Sequence, residues 1–292
     1  MIETVTIIGT GLIGTSVGLA LRAAGYTGGI EGWDDSPAML ATALGRGALT
    51  AALPGRPETE ASKPKPGVIV LAGPVHAILD WMERLGPVVG PETLVTDVGS
   101  TKMEIVRSAE RLFGRFAGAK FLAGHPMAGK ERGGAELAEA ELFRDAMWLF
   151  TPTRSERSPL EIEWREWVER FGARTMDLDP ARHDELCAWV SHLPQMLSTA
   201  LAALLEERFG EAPEMAAELM RVGGRALRET TRLGASPYSM WRDVAMTNTE
   251  AIGRTLLALE QELAHVRENL RTPELREEFA RANRFRSRRG RG

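Results

Sequence analysis

The sequence predicts an α/β protein, a doubly wound parallel sheet followed by an all-α domain. In the first part of the chain, short apolar segments alternate with helical patterns of about ten residues, which is typical of a parallel sheet covered by helices. After Asp179-Pro180, a helix N-cap followed by proline, only helical periodicity remains. The predicted domains are residues 1–178 and 179–292, and the predicted strands are 5–8, 29–33, 68–72, 94–98, 121–123, 148–150 and 173–178.

The composition is that of a folded globular protein. Of the 292 residues, 43% are apolar and 26% charged, with a formal net charge of −4, which argues against a nucleic-acid-binding protein. Cys187 is the single cysteine, so an intrachain disulfide and a cysteine zinc cluster are excluded, and no metal site is expected. No apolar run approaches the ~20 residues of a membrane helix, and no signal-peptide pattern opens the chain, so we expect a cytoplasmic protein.

The first predicted strand leads into a glycine-rich loop of the form G-x-G-x-x-G. It reads Gly9-Thr10-Gly11-Leu12-Ile13-Gly14 and precedes a helical pattern, as in Rossmann-type dinucleotide-binding domains. In such loops the first glycine permits a tight turn, the second lets the backbone approach the pyrophosphate, and the third packs helix against strand. The loop, including Leu12 and Ile13, is the predicted phosphate site, because free N–H groups at the N-terminus of the helix that follows, predicted over Ser16 to Ala24, bind anions.

An acidic residue follows the second predicted strand. Asp34 lies 20 residues after Gly14, the offset of a carboxylate that hydrogen-bonds the adenosine ribose. A carboxylate there repels a 2′-phosphate, so the sequence favours NAD over NADP. Asp35 can share or take this role.

Candidate ligand-binding residues fall at the carboxyl ends of several predicted strands. In open α/β sheets, ligands bind outside this edge, so we predict one cleft that collects these residues. They are Gly9, Asp34, Pro74, Ser100 and His125.

Four motifs in this order resemble the prephenate dehydrogenase family. They are GTGLIGTS at 9–16, DVGSTK at 97–102, GHPMAGKE at 124–131 and HDELCAWVSHLPQ at 183–195. The resemblance, which extends over about residues 5–270, implies NAD-dependent oxidative decarboxylation of prephenate to 4-hydroxyphenylpyruvate, a step towards tyrosine. Some members of the family prefer arogenate, the aminated analogue.

The resemblance also implies roles for three residues of the first domain. His125 matches the family's catalytic histidine, and a neutral histidine is suited to accept the ring hydroxyl proton near pH 7. Ser100 matches a serine that hydrogen-bonds both this histidine and the substrate hydroxyl, although it can also cap the following helix. Glu131 resembles an acid at the mouth of the site; a solvated surface charge is the alternative.

The resemblance continues into the helical half. His192, in Ser191-His192-Leu193-Pro194, matches a substrate-contacting histidine, and a buried structural histidine is the alternative. Gln195 stands where the family often has histidine. Pro194 should distort its helix, because proline cannot donate a backbone hydrogen bond.

A substrate with two carboxylates calls for arginine in the cleft. Family position favours Arg232, with Arg225 and Arg228 as nearby competitors, and Trp241 resembles a family tryptophan near the site.

An apolar stripe in the last part of the chain predicts a partner helix, either within the bundle or across a dimer; the resemblance favours a homodimer through the helical domain. Beyond it, about ten C-terminal residues rich in arginine are expected to form an unstructured basic tail. The stripe consists of Ile252, Leu256, Leu259, Leu263, Val266 and Leu270.

Two rival functions are weaker. A β-hydroxyacid dehydrogenase uses a catalytic lysine in its second domain, and no lysine follows Lys130 in this chain. A dinucleotide-binding sensor without activity predicts the loss of the base or the serine, and both His125 and Ser100 are present.

Overall fold

A computed structural model describes residues 1–61, 67–114, 120–153 and 156–288. Its centre is an eight-stranded sheet in the order β3-β2-β1-β4-β5-β6-β7-β8. The strands are β1 Thr4–Ile8, β2 Gly29–Trp33, β3 Ala51–Ala52, β4 Gly67–Leu71, β5 Thr93–Asp97, β6 Lys120–Pro126, β7 Met147–Thr151 and β8 Arg174–Asp177.

Helices α1 to α6 alternate with the strands, and α7 to α12 follow the last strand. They are α1 Leu12–Ala23, α2 Pro37–Gly45, α3 Pro57–Ala61, α4 Val75–Leu85, α5 Met103–Phe113, α6 Pro159–Arg170, α7 Pro180–Cys187, α8 Leu193–Phe209, α9 Pro213–Thr231, α10 Tyr238–Thr247, α11 Thr249–Glu268 and α12 Glu274–Arg288. Within the described residues, none of these helices has the length and apolar character needed to cross a membrane.

The strand order confirms the predicted Rossmann-type fold. β1 pairs in parallel with β2 on one side and with β4 on the other, so the order reverses beside β1 and leaves a crevice at the carboxyl edge. Ile8 is aligned with both Trp33 and Leu71. The loops that follow these three strands therefore begin at the same level.

Strand periodicity places the core on both faces of this sheet. Ile7, Val68 and Val70 belong to a buried cluster that also contains Trp164 of α6. Ile8, Ile69 and Leu71 point the other way, into a cluster with Ile78 and Met82 of α4. Successive side chains alternate between faces, so these strands are apolar at consecutive positions.

The sheet departs from the predicted all-parallel arrangement at β7, which runs antiparallel to β6. Between Pro126 and Met147 the regular structure is a single 3-10 turn, Ala135–Leu137, so there is no crossover helix to return the chain for parallel pairing. β6 is also longer than predicted. His125 therefore lies within a strand, opposite Leu149, and is held more rigidly than a loop residue.

The helical half differs from expectation in its tail. The prediction of an unstructured tail is wrong for residues 283–288, which complete α12. The preceding part of this helix, residues 274–282, is rich in Glu, Arg and Ala, which favour the helix; residues 289–292 lie outside the described part of the chain. The expected distortion at Pro194 is confirmed. A π-helical segment, Ala188–His192, separates α7 from α8.

Candidate active site

A cleft of about 350 Å³ opens at the carboxyl edge of the sheet, between the Rossmann-type part and the helical part. Its helical wall includes Pro237, Ser239, Met240 and Val244. Six of the predicted site residues line it: Leu12, Ile13, Pro74, Ser100, His125 and Glu131.

The glycine loop fits a bound dinucleotide. Gly9 has a φ of +96°, and a Cβ there would lie 2.6 Å from the carbonyl oxygen of Ala72. A Cβ on Gly14 would lie 2.0 Å from the carbonyl oxygen of Gly9, so this position requires glycine for close packing. At Gly11, by contrast, a Cβ would meet no described atom within 4 Å. This space suits a pyrophosphate lying against the backbone.

The N-terminus of α1 offers donors for that phosphate. Gly11 is its N-cap, and no side chain caps the helix. The first N–H groups, at Leu12 and Ile13, are therefore available to an anion. A pyrophosphate needs both space and hydrogen-bond donors, and the loop provides both.

Asp34 holds the loop from the end of β2. Its Oδ2 accepts hydrogen bonds from the backbone N–H of Thr10 at 2.6 Å and from the Thr10 hydroxyl at 3.0 Å. Its Oδ1 accepts one from the N–H of Ser36 at 2.8 Å. A carboxylate has about four acceptor positions, so one remains for a ribose hydroxyl.

His125 belongs to a buried chain of hydrogen bonds that the sequence analysis missed. Its Nδ1 lies 2.9 Å from Nε2 of His183, and Nδ1 of His183 lies 2.8 Å from Oδ1 of Asp184. His183 and Asp184 begin the fourth motif, and their place in that motif was the only sequence signal that pointed to them as site residues. The contact joins residues 58 positions apart, which no local periodicity reports.

The chain of bonds determines the tautomer of His125. A carboxylate only accepts, so His183 carries its proton on Nδ1 and presents a lone pair at Nε2. Nδ1 of His125 must then donate to that lone pair. Nε2 of His125 is left unprotonated, as the nitrogen available to a ligand in the cleft.

Asp184 is fixed by the end of another helix. Its Oδ1 and Oδ2 accept hydrogen bonds from the backbone N–H groups of Lys102 and Met103, at 2.7 and 2.9 Å. These are among the free donors at the N-terminus of α5, where a negative charge is favoured. Asp184, rather than Ser100, therefore caps this helix.

Burial keeps the histidines neutral. It lowers the pKa of His125 well below its usual value of 6.5, and the neighbouring His183, Lys102 and His192 add to the shift. Burial also lowers the pKa of His183, although its hydrogen bond to Asp184 opposes the change. A neutral imidazole is the form that can accept a proton.

A buried ion pair supports the strand ends on either side of the cleft. Nζ of Lys102 lies 2.5 Å from Oδ2 of Asp97, and both side chains are fully buried. The same carboxylate accepts hydrogen bonds from the N–H groups of Gly99 and Gly124. Asp97 thus joins the loop of Ser100 to the strand of His125.

Ser100 shares the cleft with His125 but does not bond to it. The His125 ring bonds to His183 through its Nδ1, and within the described residues no hydrogen bond joins it to the side chain of Ser100. The expected contact between serine and histidine is absent from this arrangement. Ser100 can still contact a ligand, since it lines the cleft.

Glu131 and Arg232 form an ion pair across the mouth of the cleft. Arg232 lies in a 3-10 turn, Arg232–Ala235. Gln195 holds this turn, donating to the carbonyl of Leu233 at 2.7 Å. The competitor Arg225 is exposed and paired with Glu229 on the same helix.

His192 and Trp241 lie outside the described lining of the cleft. His192 is almost fully buried, 3.3 Å from the side-chain nitrogen of Asn248 through its Nδ1, and burial lowers its pKa to about 4. Trp241 packs edge-on against it, with ring centres 5.8 Å apart. The Trp241 Nε1 is buried and has no partner among the described residues.

Comparison with known proteins identifies both halves of the chain. Residues 17–176 match the model of the prephenate dehydrogenase nucleotide-binding domain, and residues 179–284 match that of the prephenate dehydrogenase dimerization domain. A prephenate dehydrogenase of Bacillus subtilis is 29% identical over 255 residues. This alignment covers 86% of this chain and 66% of that protein, so the chain spans slightly less than two thirds of its relative's length.

Two solved structures share the whole fold. The prephenate dehydrogenase of A. aeolicus, in complex with hydroxyphenyl propionate and NAD+, has a TM-score of 0.87 and 26% identity, covering 99% of this chain and 98% of that one. The arogenate dehydrogenase of Synechocystis has a TM-score of 0.76 and 28% identity, covering 98% and 99%.

Proposed function

Because the chain belongs to the prephenate dehydrogenase family, we propose that it oxidatively decarboxylates prephenate to 4-hydroxyphenylpyruvate with NAD as the hydride acceptor. The observation that carries this proposal is the His125–His183–Asp184 chain. It presents an unprotonated Nε2 to a cleft that also contains a dinucleotide-binding loop.

His125 is the general base in this proposal. Its Nε2 accepts the proton of the ring hydroxyl as the carbon bearing that hydroxyl becomes a carbonyl. Bound NAD supplies the acceptor for the hydride that leaves this carbon, and loss of carbon dioxide makes the ring aromatic. The imidazolium formed at His125 is stabilised through His183 by the charge of Asp184.

Cofactor binding is assigned to the glycine loop and the strand ends around it. Gly11 provides the space and the N-terminus of α1 the donors for the pyrophosphate, with Gly9 and Gly14 shaping the loop. Asp34 has an acceptor position free for the ribose, and Pro74 lines the cleft nearby.

Substrate binding is assigned to groups on both sides of the cleft. Arg232 is the proposed partner of a substrate carboxylate, which would replace Glu131 in the ion pair across the mouth. Ser100 is within the cleft and is assigned to the ring hydroxyl. His192 and Trp241 are proposed to reach substrate only after the helical wall adjusts, since neither lines the cleft here.

Arogenate is the alternative substrate, favoured by the likeness to the Synechocystis arogenate dehydrogenase. Prephenate carries a keto group where arogenate carries an ammonium group.

We also propose a homodimer through the helical domain, in line with the dimerization-domain match and with exposed apolar residues such as Leu263 and Leu270.

The test is NADH production by purified protein with prephenate and with arogenate, using NAD and NADP in turn. His125→Asn should reduce kcat by at least ~10²-fold, as expected for a lost general base, while NAD affinity measured by fluorescence stays unchanged. Turnover that survives this substitution would remove His125 from the role of base. NAD binding without turnover of either substrate by the unaltered protein would favour the sensor function.

A further inference from the structure

The sulfur of Cys187 lies beside the two histidines of the proposed catalytic centre. It lies four residues after His183, so both side chains share one face of α7. Its Sγ is 3.6 Å from Nε2 of His183 and 3.9 Å from Nδ1 of His125. We propose that these three residues form an inhibitory site for a soft divalent cation, Zn²⁺ in particular.

The spacing of the three donor atoms is close to what zinc requires. With Zn–N bonds of about 2.0–2.1 Å and a Zn–S bond of about 2.3 Å, tetrahedral angles place the nitrogens roughly 3.3 Å apart and each about 3.6 Å from sulfur. The corresponding distances here are 2.9 Å between the nitrogens, and 3.6 and 3.9 Å to sulfur. A rotation of the two rings that moves their nitrogens apart by a few tenths of an ångström gives the spacing that the ion requires, roughly 3.3 Å.

The groups around the three ligands suit a metal as well. Nδ1 of His183 is bonded to Asp184, which is the carboxylate–histidine pairing that orients imidazole ligands and strengthens them. Lys102 lies nearby and opposes a cation, but its ammonium is paired with Asp97. Asp184 and the Cys187 thiolate then balance the two charges of the ion.

Binding would inhibit by moving a proton. The metal takes the Nδ1 lone pair of His125, so the proton of that ring must sit on Nε2. Protonated there, His125 can no longer accept the hydroxyl proton of the substrate; this step rests on the proposed function. The thiol of Cys187, whose pKa burial raises to about 12, loses its proton to solvent when its sulfur binds the metal.

Metal binding is measured first, without reference to turnover. The purified full chain is loaded with Zn²⁺, passed through gel filtration and analysed for zinc, and a parallel sample is loaded with Co²⁺ and its absorption spectrum recorded. We expect one zinc per chain and a thiolate-to-cobalt charge-transfer band with tetrahedral d–d bands. Cys187→Ala should abolish the charge-transfer band and weaken zinc binding by more than ~10²-fold, since even outer-shell losses cost 10–100-fold.

The controls separate this site from surface binding and from the proposed function. His265→Asn removes an exposed histidine on α11 and should leave both metal readouts unchanged. Zn²⁺ should inhibit turnover by the unaltered protein and by His265→Asn, and Cys187→Ala should turn over normally yet resist Zn²⁺. A zinc content or cobalt spectrum that Cys187→Ala leaves unaltered would overturn the proposal. Because those two readouts need no substrate, they remain decisive if prephenate is not oxidised.

Discussion

At the scale of single residues, His183 decides which ring nitrogen of His125 carries the proton. It accepts from Nδ1 of His125 at 2.9 Å, and His183→Ala removes that acceptor. We expect kcat to fall by ~10²-fold, because His125 then samples the wrong tautomer, with little change in NAD affinity. Steady-state kinetics and a nucleotide-binding titration measure the two effects.

Glutamine at position 183 provides the matched comparison. Its side-chain oxygen can occupy the place of the imidazole Nε2 and accept the same hydrogen bond. His183→Gln should therefore recover much of the kcat that alanine loses. Equal losses in the two variants, with equal unfolding free energies, would mean that His183 supports packing rather than the tautomer of its neighbour.

The pH dependence of turnover follows from the buried position of His125. Only its neutral form can accept a proton, and burial holds its pKa well below 6.5. As pH falls, kcat/KM should therefore stay constant through 6.5 and decline only well below that value. A pH profile of kcat/KM measures this limb, and a decline centred at 6.5 or above would show that the base is a more exposed group.

At the scale of elements, the end of β2 and the glycine loop act as one unit through Asp34. The carboxylate of Asp34 both holds Thr10 and repels a 2′-phosphate. Asp34→Asn should therefore reduce the ratio of NAD to NADP affinity by ~10-fold or more, which is about the free energy of one charge-assisted contact. Fluorescence titration with NADH and NADPH measures both affinities. Asp35→Asn is the control, and a larger effect there would assign the ribose to Asp35.

The elements also show how far sequence reasoning reaches. Strands such as β1 and β4 were predictable because an apolar run, and the glycine loop that follows β1, are local signals. The antiparallel β7 was not, because its direction depends on a connection without a crossover helix. The capping of α5 by Asp184 was equally inaccessible, since its donors lie 81 and 82 residues away in the chain.

At the scale of the whole molecule, the apolar stripe on α11 changes character along its length. Ile252 is 6% exposed, whereas Leu263 is 55% exposed and Leu270, just beyond the helix, is 61% exposed. The first part thus packs within the chain, and the second part presents its side chains to solvent in the single chain. We expect this second part to pack against a second copy.

Charged residues at these two positions should separate the copies. Burying two leucines contributes about 3–6 kcal/mol, so Leu263→Glu with Leu270→Glu should raise the dimer dissociation constant by at least ~10²-fold. Sedimentation equilibrium measures the change. Ile162→Glu, at an exposed position on α6 of the sheet domain, is the control and should remain dimeric. The doubly substituted monomer should still bind NAD with unaltered affinity, because Gly11 and Asp34 come from the same chain. If the doubly substituted protein remains dimeric, the interface lies elsewhere on the helical domain.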